Sequence, residues 1–455
     1  MSLTRWAARP LPSRVLVVAV AAALGVLVLA FEGATRPVES VNYSDVTTYE
    51  AYGSKMLDGA MPYRDFKMEY PPGALFMFVL PATRVVEGSP TGPLSWGPPD
   101  AAARRYYRGF TSLVLLLVAA MVVFTALTLA AMRRSARAML LSLAVVAFSP
   151  LMIGQVVPER FDVFPAALTA AALAASVRGH YRLGGAFLGL GAATKVYPAL
   201  LLPVLVIVVI RERRVREAIF VAVAAISAAA AVFLPFAIAS LSGTWGSLRN
   251  QFREGLQIES LGSSVLVMAF HVGQKVTALG LPSPSELTTQ PAKGGLTRLV
   301  LAGPGVHATE KVLPALLVAA LCLLLVSLYR STRDPREDLI RYSAATVTIV
   351  LVLGTVLSPQ YVVWLIPLVP LVNGRSGTAA ILFFVVAAAL TNVWIPDWYF
   401  KYQDGLPAGP ASLLLARNIA LLATAVALLQ PVAVFRRGRR RQSSDMPRGG
   451  GGLEA

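Results

Sequence analysis

Twelve apolar stretches, many followed by short arginine-bearing connections, leave this chain little choice but a membrane-spanning helical fold. They run 15–31, 109–131, 138–152, 161–177, 183–195, 197–210, 215–236, 312–330, 341–357, 360–373, 377–395 and 412–434. Several fall short of the ~20 residues a helix needs to cross a bilayer. Short spans are tolerated where they are buried in protein or border a water-filled cavity. Only 14% of residues are charged, against about 25% in a soluble domain, so the expected class is an all-α polytopic membrane protein with about twelve transmembrane helices.

The arginines set the orientation. With the N-terminus inside, the cytoplasmic connections hold Arg133/Arg134/Arg137, Arg178/Arg182, Arg211/Arg213/Arg214/Arg216, Arg330/Arg333/Arg336/Arg341 and Arg375, and Arg436 to Arg441 follow in the tail. That pattern obeys the positive-inside rule and puts both termini in the cytoplasm. It also explains the net charge of +17 without a nucleic-acid partner. Residues 1–435 are expected to form one membrane domain, and 436–455 a basic, disordered tail resting on anionic lipid. Arg5, Arg9 and Arg14 before 15–31 mark a retained anchor helix rather than a cleaved leader. The exception is Arg104/Arg105/Arg108, on the outer side. Keeping it there requires residues 71–87, though apolar, to lie in or dip into the outer interface.

The outer face then collects the polar groups that the spans lack. It receives the 32–108 loop, the turn 149–162, the Lys195–Pro198 break, a long loop at 237–311, Ser358–Tyr361 and 396–410. In the long loop, Ser260 to Val272 reads as a short apolar helix on the membrane surface, and Pro282 to Pro291 as irregular linker. Asn42 to Gly73 is the densest polar segment. It carries Asp45, Glu50, Asp58, Arg64, Asp65, Lys67 and Glu69, with tyrosines at 43, 49, 52, 63 and 70. Asp45, Tyr49 and Tyr52 share one helical face, and Glu69-Tyr70-Pro71-Pro72-Gly73 makes a stiff turn.

Motifs for other chemistries are missing. The chain has no GxxxxGK[ST] phosphate loop, no HExxH and no GxSxG, which disfavours an ATP-driven pump, a zinc protease and a serine hydrolase. The single cysteine, Cys322, permits neither an intramolecular disulfide nor a cysteine metal site. Carboxylates, a few cations and many aromatics on one side of a membrane suit glycosyl transfer from a lipid-phosphate sugar. A carboxylate can take the acceptor proton, cations stabilise the departing phosphate, and aromatic rings pack against sugar faces.

Four ordered motifs carry a resemblance. Asp45 with Gly59-x-x-Pro62-Tyr63-Arg64-Asp65-Phe66 and Glu69-Tyr70-Pro71-Pro72 is similar to the first outer loop of the polyprenol-phosphate-mannose-dependent mannosyltransferases of GT-C fold. More narrowly, it resembles the bacterial α-mannosyltransferases that include enzymes of actinobacterial phosphatidylinositol mannoside synthesis. Arg160-Phe161-Asp162 with Pro165, Gly189 to Pro198, and Ser358-Pro359-Gln360-Tyr361 with Trp364 follow in the same order. The resemblance implies a hexosyltransferase of the bacterial plasma membrane. It would move mannose from a polyprenyl phosphate to a lipid or glycan acceptor on the outer face. Inversion follows if one carboxylate activates the acceptor for a single displacement; no cofactor is called for, and the sequence leaves a metal requirement open. An arabinofuranosyl or glucosyl transferase with the same donor type, and a lipid or sugar transporter, are the rivals.

The resemblance also implies that Asp45 is the catalytic base. The residues alone favour Asp45 as the N-cap of a helix over 46–58, with Asp65 and Glu69 as rival bases and Arg64 paired to one of them. Lys195 and Arg160 are the cations expected nearest the phosphate. The plainer readings are that Lys195 snorkels to the outer interface and that Asp162 pairs with Arg160. Arg417, inside the last span, could reach a lipid phosphate. Tyr49, Tyr63, Tyr70, Asp162, Tyr197, Gln360 and Tyr361 complete the expected substrate-binding set. His271 and His307 match no motif and read as incidental.

Overall fold

A computed structural model describes residues 10–35, 45–83, 101–250, 255–275, 287–291 and 299–429. The arginines at 5 and 9, Tyr43, the 84–87 end of the interface segment, 282–286 and the basic tail lie outside them. The chain is a helical membrane protein. Among the described residues, seven helical segments are long and apolar enough to cross a bilayer: Ser13–Ala34 (α1), Ala101–Ala131, Ala136–Val156, Val215–Ala239, Val306–Tyr329, Gly374–Gln403 and Ala408–Leu429. The other five expected crossings are different objects. Residues 163–176 and 181–194 are helices of 14 residues each, and 197–211 begins as a 3-10 turn before becoming α-helical. Pro335–Leu353 carries four charged residues in its first turns, and Pro359–Leu371 is two 3-10 turns. The 14 residues of 163–176 are almost all buried, which supplies the protein surroundings that a short segment needs at membrane depth.

Between α1 and the first long span, Val46–Leu57 forms α2 and Leu75–Ala82 forms α3, packed on each other. At 1.5 Å per residue, the eight residues of α3 reach only about 12 Å, far short of a crossing. Met77, Phe78 and Ala82 are buried while Phe76 and Leu80 are exposed, so α3 presents one face to the protein and one outward.

The helices α4 (Ala101–Ala131), α5 (Ala136–Ile153), α6 (Val163–Ser176) and α7 (Tyr181–Thr194) follow, then α8 (Leu202–Arg211), α9 (Val215–Ala239) and α10 (Leu241–Asn250). Small residues decide how closely they pack. Gly185 and Gly189 on α7 lie against the backbone of α9 at Val221 and Ala225, with no room for a Cβ at either position. This is the small-xxx-small approach common between membrane helices. Gly189→Leu is therefore expected to destabilise the fold by at least ~1–3 kcal/mol, the usual cost of overpacking. Thermal unfolding in detergent checks it, and an unshifted melting temperature would show that α7 and α9 can part freely.

The long loop is more ordered than its composition suggests. It holds α10, α11 (Leu261–Lys275) and an antiparallel hairpin of β1 (Thr288–Pro291) and β2 (Leu299–Ala302). The irregular linker expected through Pro291 is thus corrected at 288–291, where pairing with β2 satisfies the backbone. The surface helix expected at 260–272 exists as α11. One face of it is taken by protein: Val267 and Phe270 are buried in a cluster with Trp394, Tyr402 and Leu414. The last elements are α12 (Val306–Tyr329), α13 (Pro335–Leu353), α14 (Gly374–Val393), α15 (Tyr399–Gln403) and α16 (Ala408–Leu429). On the arginine-rich side, ion pairs tie α13 to earlier elements: Arg134, before α5, with the part-exposed Glu337 at 2.5 Å, and Arg211 of α8 with the buried Asp338 at 2.7 Å.

Candidate active site

Asp45 sits at the start of α2 without capping it. Its backbone is helical (φ −63°, ψ −11°) and its side chain makes no capping bond. The carboxylate is instead ion-paired with Arg160, from the loop between α5 and α6. This overturns the cap reading: a long-range cation took the carboxylate. Burial is the largest single influence on the Arg160 charge and works against it, but Asp45, Tyr49 and Glu159 together raise the guanidinium pKa further. One turn along, the Tyr49 hydroxyl points at Asp45 from 3.5 Å, at the outer limit of a hydrogen bond. Burial raises the Tyr49 pKa well above the usual phenol value, with the charges of Tyr70 and Asp45 adding to it.

A second pair lies beside the first. Lys195 Nζ is 3.1 Å from Asp162 Oδ1, and both side chains are almost fully buried. The Trp364 indole N–H donates to the same oxygen at 2.8 Å, and the other oxygen of Asp162 has no partner. Lys195 therefore does not snorkel, and Asp162 is not the partner of Arg160. Rings close around the ammonium, with Phe161, Tyr361 and Trp364 centred 4.8, 5.1 and 5.8 Å from Nζ. Tyr197 and Tyr361 each stack on Trp364, at 4.3 and 4.1 Å between centroids. Lys195 ends α7 in extended backbone, where the chain breaks before the 3-10 turn at Tyr197.

Arg160-Phe161-Asp162 links the two pairs by sending three consecutive side chains three ways. Arg160 goes to Asp45 and Asp162 to Lys195, while Phe161 enters an aromatic cluster edge-on to Tyr49, Tyr70 and Phe78. The prolines and glycine of the 69–73 turn dock this loop onto α7. A Cβ on Gly73 would lie 2.7 Å from the Ala193 carbonyl and the Thr194 hydroxyl, so only glycine fits there.

The rest of the expected set is divided. Tyr63, at φ 68°, is held in its turn by donating to the Tyr70 carbonyl at 2.6 Å and by its edge contact with Phe236. Asp65 accepts from the Met61 amide at 2.8 Å and from Arg64 at 2.7 and 2.9 Å. Those hydrogen bonds, the one from Arg64 first, pull its pKa down to about 2, which makes it a weak base. Glu69 is half-buried beside Tyr52, whose pKa is pushed up to about 12 by burial and then by Glu69. Gln360 is half-buried in the 3-10 turn that also presents Tyr361. The His271 Nε2–H donates to the Leu406 carbonyl at 2.8 Å, and His307 is exposed near Glu310.

Arg417 belongs to a third cluster that the sequence did not disclose. It is fully buried in α16, donates to the Glu259 carbonyl at 2.8 Å, and has two further donors, Nε and Nη1, without partners. The Glu259 carboxylate accepts from Trp394 at 2.8 Å, while Asn418 donates to its carbonyl at 3.2 Å. Tyr399 lies within electrostatic reach of Glu259, Arg160 and Asp45 alike, so this cluster borders the first pair. Glu159, which accepts from the Tyr107 hydroxyl at 3.3 Å, was also missed. Both glutamates sit in connections whose conformation no local pattern sets. An apolar groove of about 450 Å³ flanks the far end of α2, lined by Met56, Pro62, Phe76, Leu80 and Phe236 among others.

Two crystal structures of ArnT from Cupriavidus metallidurans are similar to this chain. The one bound to undecaprenyl phosphate matches at 15% identity and TM-score 0.45, covering 93% of this chain and 78% of that one. The apo form matches at 13% and 0.44, covering 91% and 76%. Comparison with curated protein sequences finds no match. The family model for glycosyltransferase family 87 matches residues 69–359, which take in Glu69, both residues of the Lys195–Asp162 pair and Arg160, while Asp45 precedes the match. By that match over well more than half its length, this membrane chain belongs to glycosyltransferase family 87.

Proposed function

We propose that the chain transfers a hexose, mannose in the first instance, from a polyprenyl phosphate to a lipid or glycan acceptor on the outer face of the bacterial plasma membrane. The observation that carries this reading is the pairing of two carboxylates with two cations, Asp45–Arg160 and Lys195–Asp162, around Phe161. Asp45 takes the acceptor hydroxyl proton as the acceptor oxygen bonds to the anomeric carbon. The bond from that carbon to the phosphate oxygen breaks, and its electron pair leaves with the polyprenyl phosphate. A single displacement of this kind inverts the anomeric centre. Phosphate leaves as a good anion, so no second carboxyl is required as acid, in contrast to glycoside hydrolysis. Arg160 orients the base and, with Lys195, supplies positive charge where the phosphate departs. The apolar groove beside α2 offers a wall for a lipid chain.

Family membership favours this reading over a transporter. The deciding experiment incubates purified protein with radiolabelled polyprenyl-phosphate mannose, glucose and arabinofuranose and with membrane lipids. Label from mannose should move to the acceptor fraction. Transfer of glucose or arabinose alone would change the sugar, and no transfer from any of the three would sink the donor assignment. The arginine pattern motivates the orientation. Asp58→Cys, exposed beyond α2, in a Cys322→Ala background should react with an impermeant maleimide from outside intact cells. Reaction only after permeabilisation would invert the topology.

A further inference from the structure

A separate cavity of about 200 Å³ opens at the other end of α5 from Arg160. The 18 residues of α5 put roughly 27 Å between them. Its wall includes Arg134, Ser135, Arg137, Ser142, Asn373 and Thr378, and no carboxylate lines it among the described residues. Two long helices begin on it. Ser135 caps α5, accepting from the Ala138 amide at 3.3 Å. The Asn373 side chain leaves the first turn of α14 uncapped. Each start carries unsatisfied N–H groups and the positive end of a helix dipole.

A second observation points independently to a ligand. The Arg134 side chain is only 6% exposed. Its two terminal nitrogens hold Glu337 at 2.5 and 2.6 Å, and its Nε is buried with no partner among the described residues. A buried guanidinium donor left open is costly unless something accepts from it. Ser142, deeper in the wall, already donates to the Pro370 carbonyl at 2.6 Å. Arg137 and Arg375 stand exposed nearby. Glu337 is neutralised by Arg134, so the local field is positive.

We propose that this cavity binds a phosphoryl anion. Two helix N-termini, a buried open guanidinium donor and Arg137 surround it. At ~30 Å³ per water the space corresponds to roughly six waters, which suits a phosphoryl group with a few attached atoms. Helices α5 and α14 both belong to segments able to cross a bilayer, so their first turns lie where phospholipid headgroups sit. The anion is then either a headgroup phosphate or free phosphate. The assignment does not depend on the glycosyl donor.

The test uses the full-length protein in detergent. Native mass spectrometry counts lipid adducts with phosphatidylglycerol and with phosphatidylcholine, and thermal unfolding is followed against inorganic phosphate. Thr378→Trp fills the cavity from an exposed position, and Arg137→Ala removes a rim cation. Neither touches the Arg134–Glu337 pair, so both should fold. A phosphatidylglycerol adduct that falls by at least about fivefold in both variants, as loss of a charge-assisted contact implies, establishes the headgroup form. A phosphate-dependent rise in melting temperature that both variants abolish, without lipid preference, establishes the free-anion form. Adducts and melting shifts unchanged in both variants, or absent from the parent, overturn the proposal.

Discussion

Asp45→Asn should lower turnover by at least ~10²-fold, the lower range for loss of a general base, in a protein that still folds and still binds donor. The substitution preserves shape and removes the charge and the proton acceptor. Since Asp45 makes no capping bond, the excellent capping ability of Asn is irrelevant. Stability instead reports on the Arg160 pair. Breaking a fully buried pair costs 3–5 kcal/mol, but the Arg160 side chain keeps 19% exposure and Asn can still accept one of its hydrogen bonds. A loss of about 1–2 kcal/mol is expected, and thermal unfolding measured beside turnover separates it from the chemical effect. Asp65→Asn and Glu69→Gln are the controls. The Asp65 carboxylate is occupied by Arg64 and the Met61 amide, so its loss should loosen the turn without removing the chemical step. A dead Glu69→Gln beside an active Asp45→Asn would move the base to Glu69. Full activity in all three would remove the loop from catalysis.

The second large effect concerns the buried pair. Lys195→Ala should destabilise the fold by about 3–5 kcal/mol, because the buried Asp162 then loses its counter-charge and keeps only the Trp364 donor. Poor expression of that single variant would say nothing about catalysis. The informative protein is the double variant Lys195→Met with Asp162→Asn. It leaves no buried charge unpaired and should recover most of the lost melting temperature, as buried pairs commonly do when replaced by neutral groups. If Lys195 stabilises the leaving phosphate, the double variant is folded and its turnover remains orders of magnitude low. Near-native turnover in the double variant would make the pair a structural clasp between α7 and the 157–162 loop.

The arginine runs and apolar stretches were sufficient to announce a helical membrane protein. The position of the polar loop and the four ordered motifs announced a glycosyltransferase. These are local properties: a hydrophobic run is legible because its solvent is lipid, and a motif because its residues are adjacent.

Pairing was not legible. Nothing near Asp45 in the chain says that its carboxylate will meet Arg160, or that Asp162 will turn away to Lys195. The choice follows from three consecutive side chains diverging at one loop, and from Phe161 needing the apolar space between Tyr49 and Tyr70. Glu259 escaped notice because its significance comes from Trp394, Arg417 and Asn418, all more than a hundred residues away. The sequence by itself determined that the chain is a helical membrane protein and which polar residues its connections carry. Only the tertiary structure decided which charge neutralises which, because the cost of burying an ion is settled by its nearest counter-charge in space.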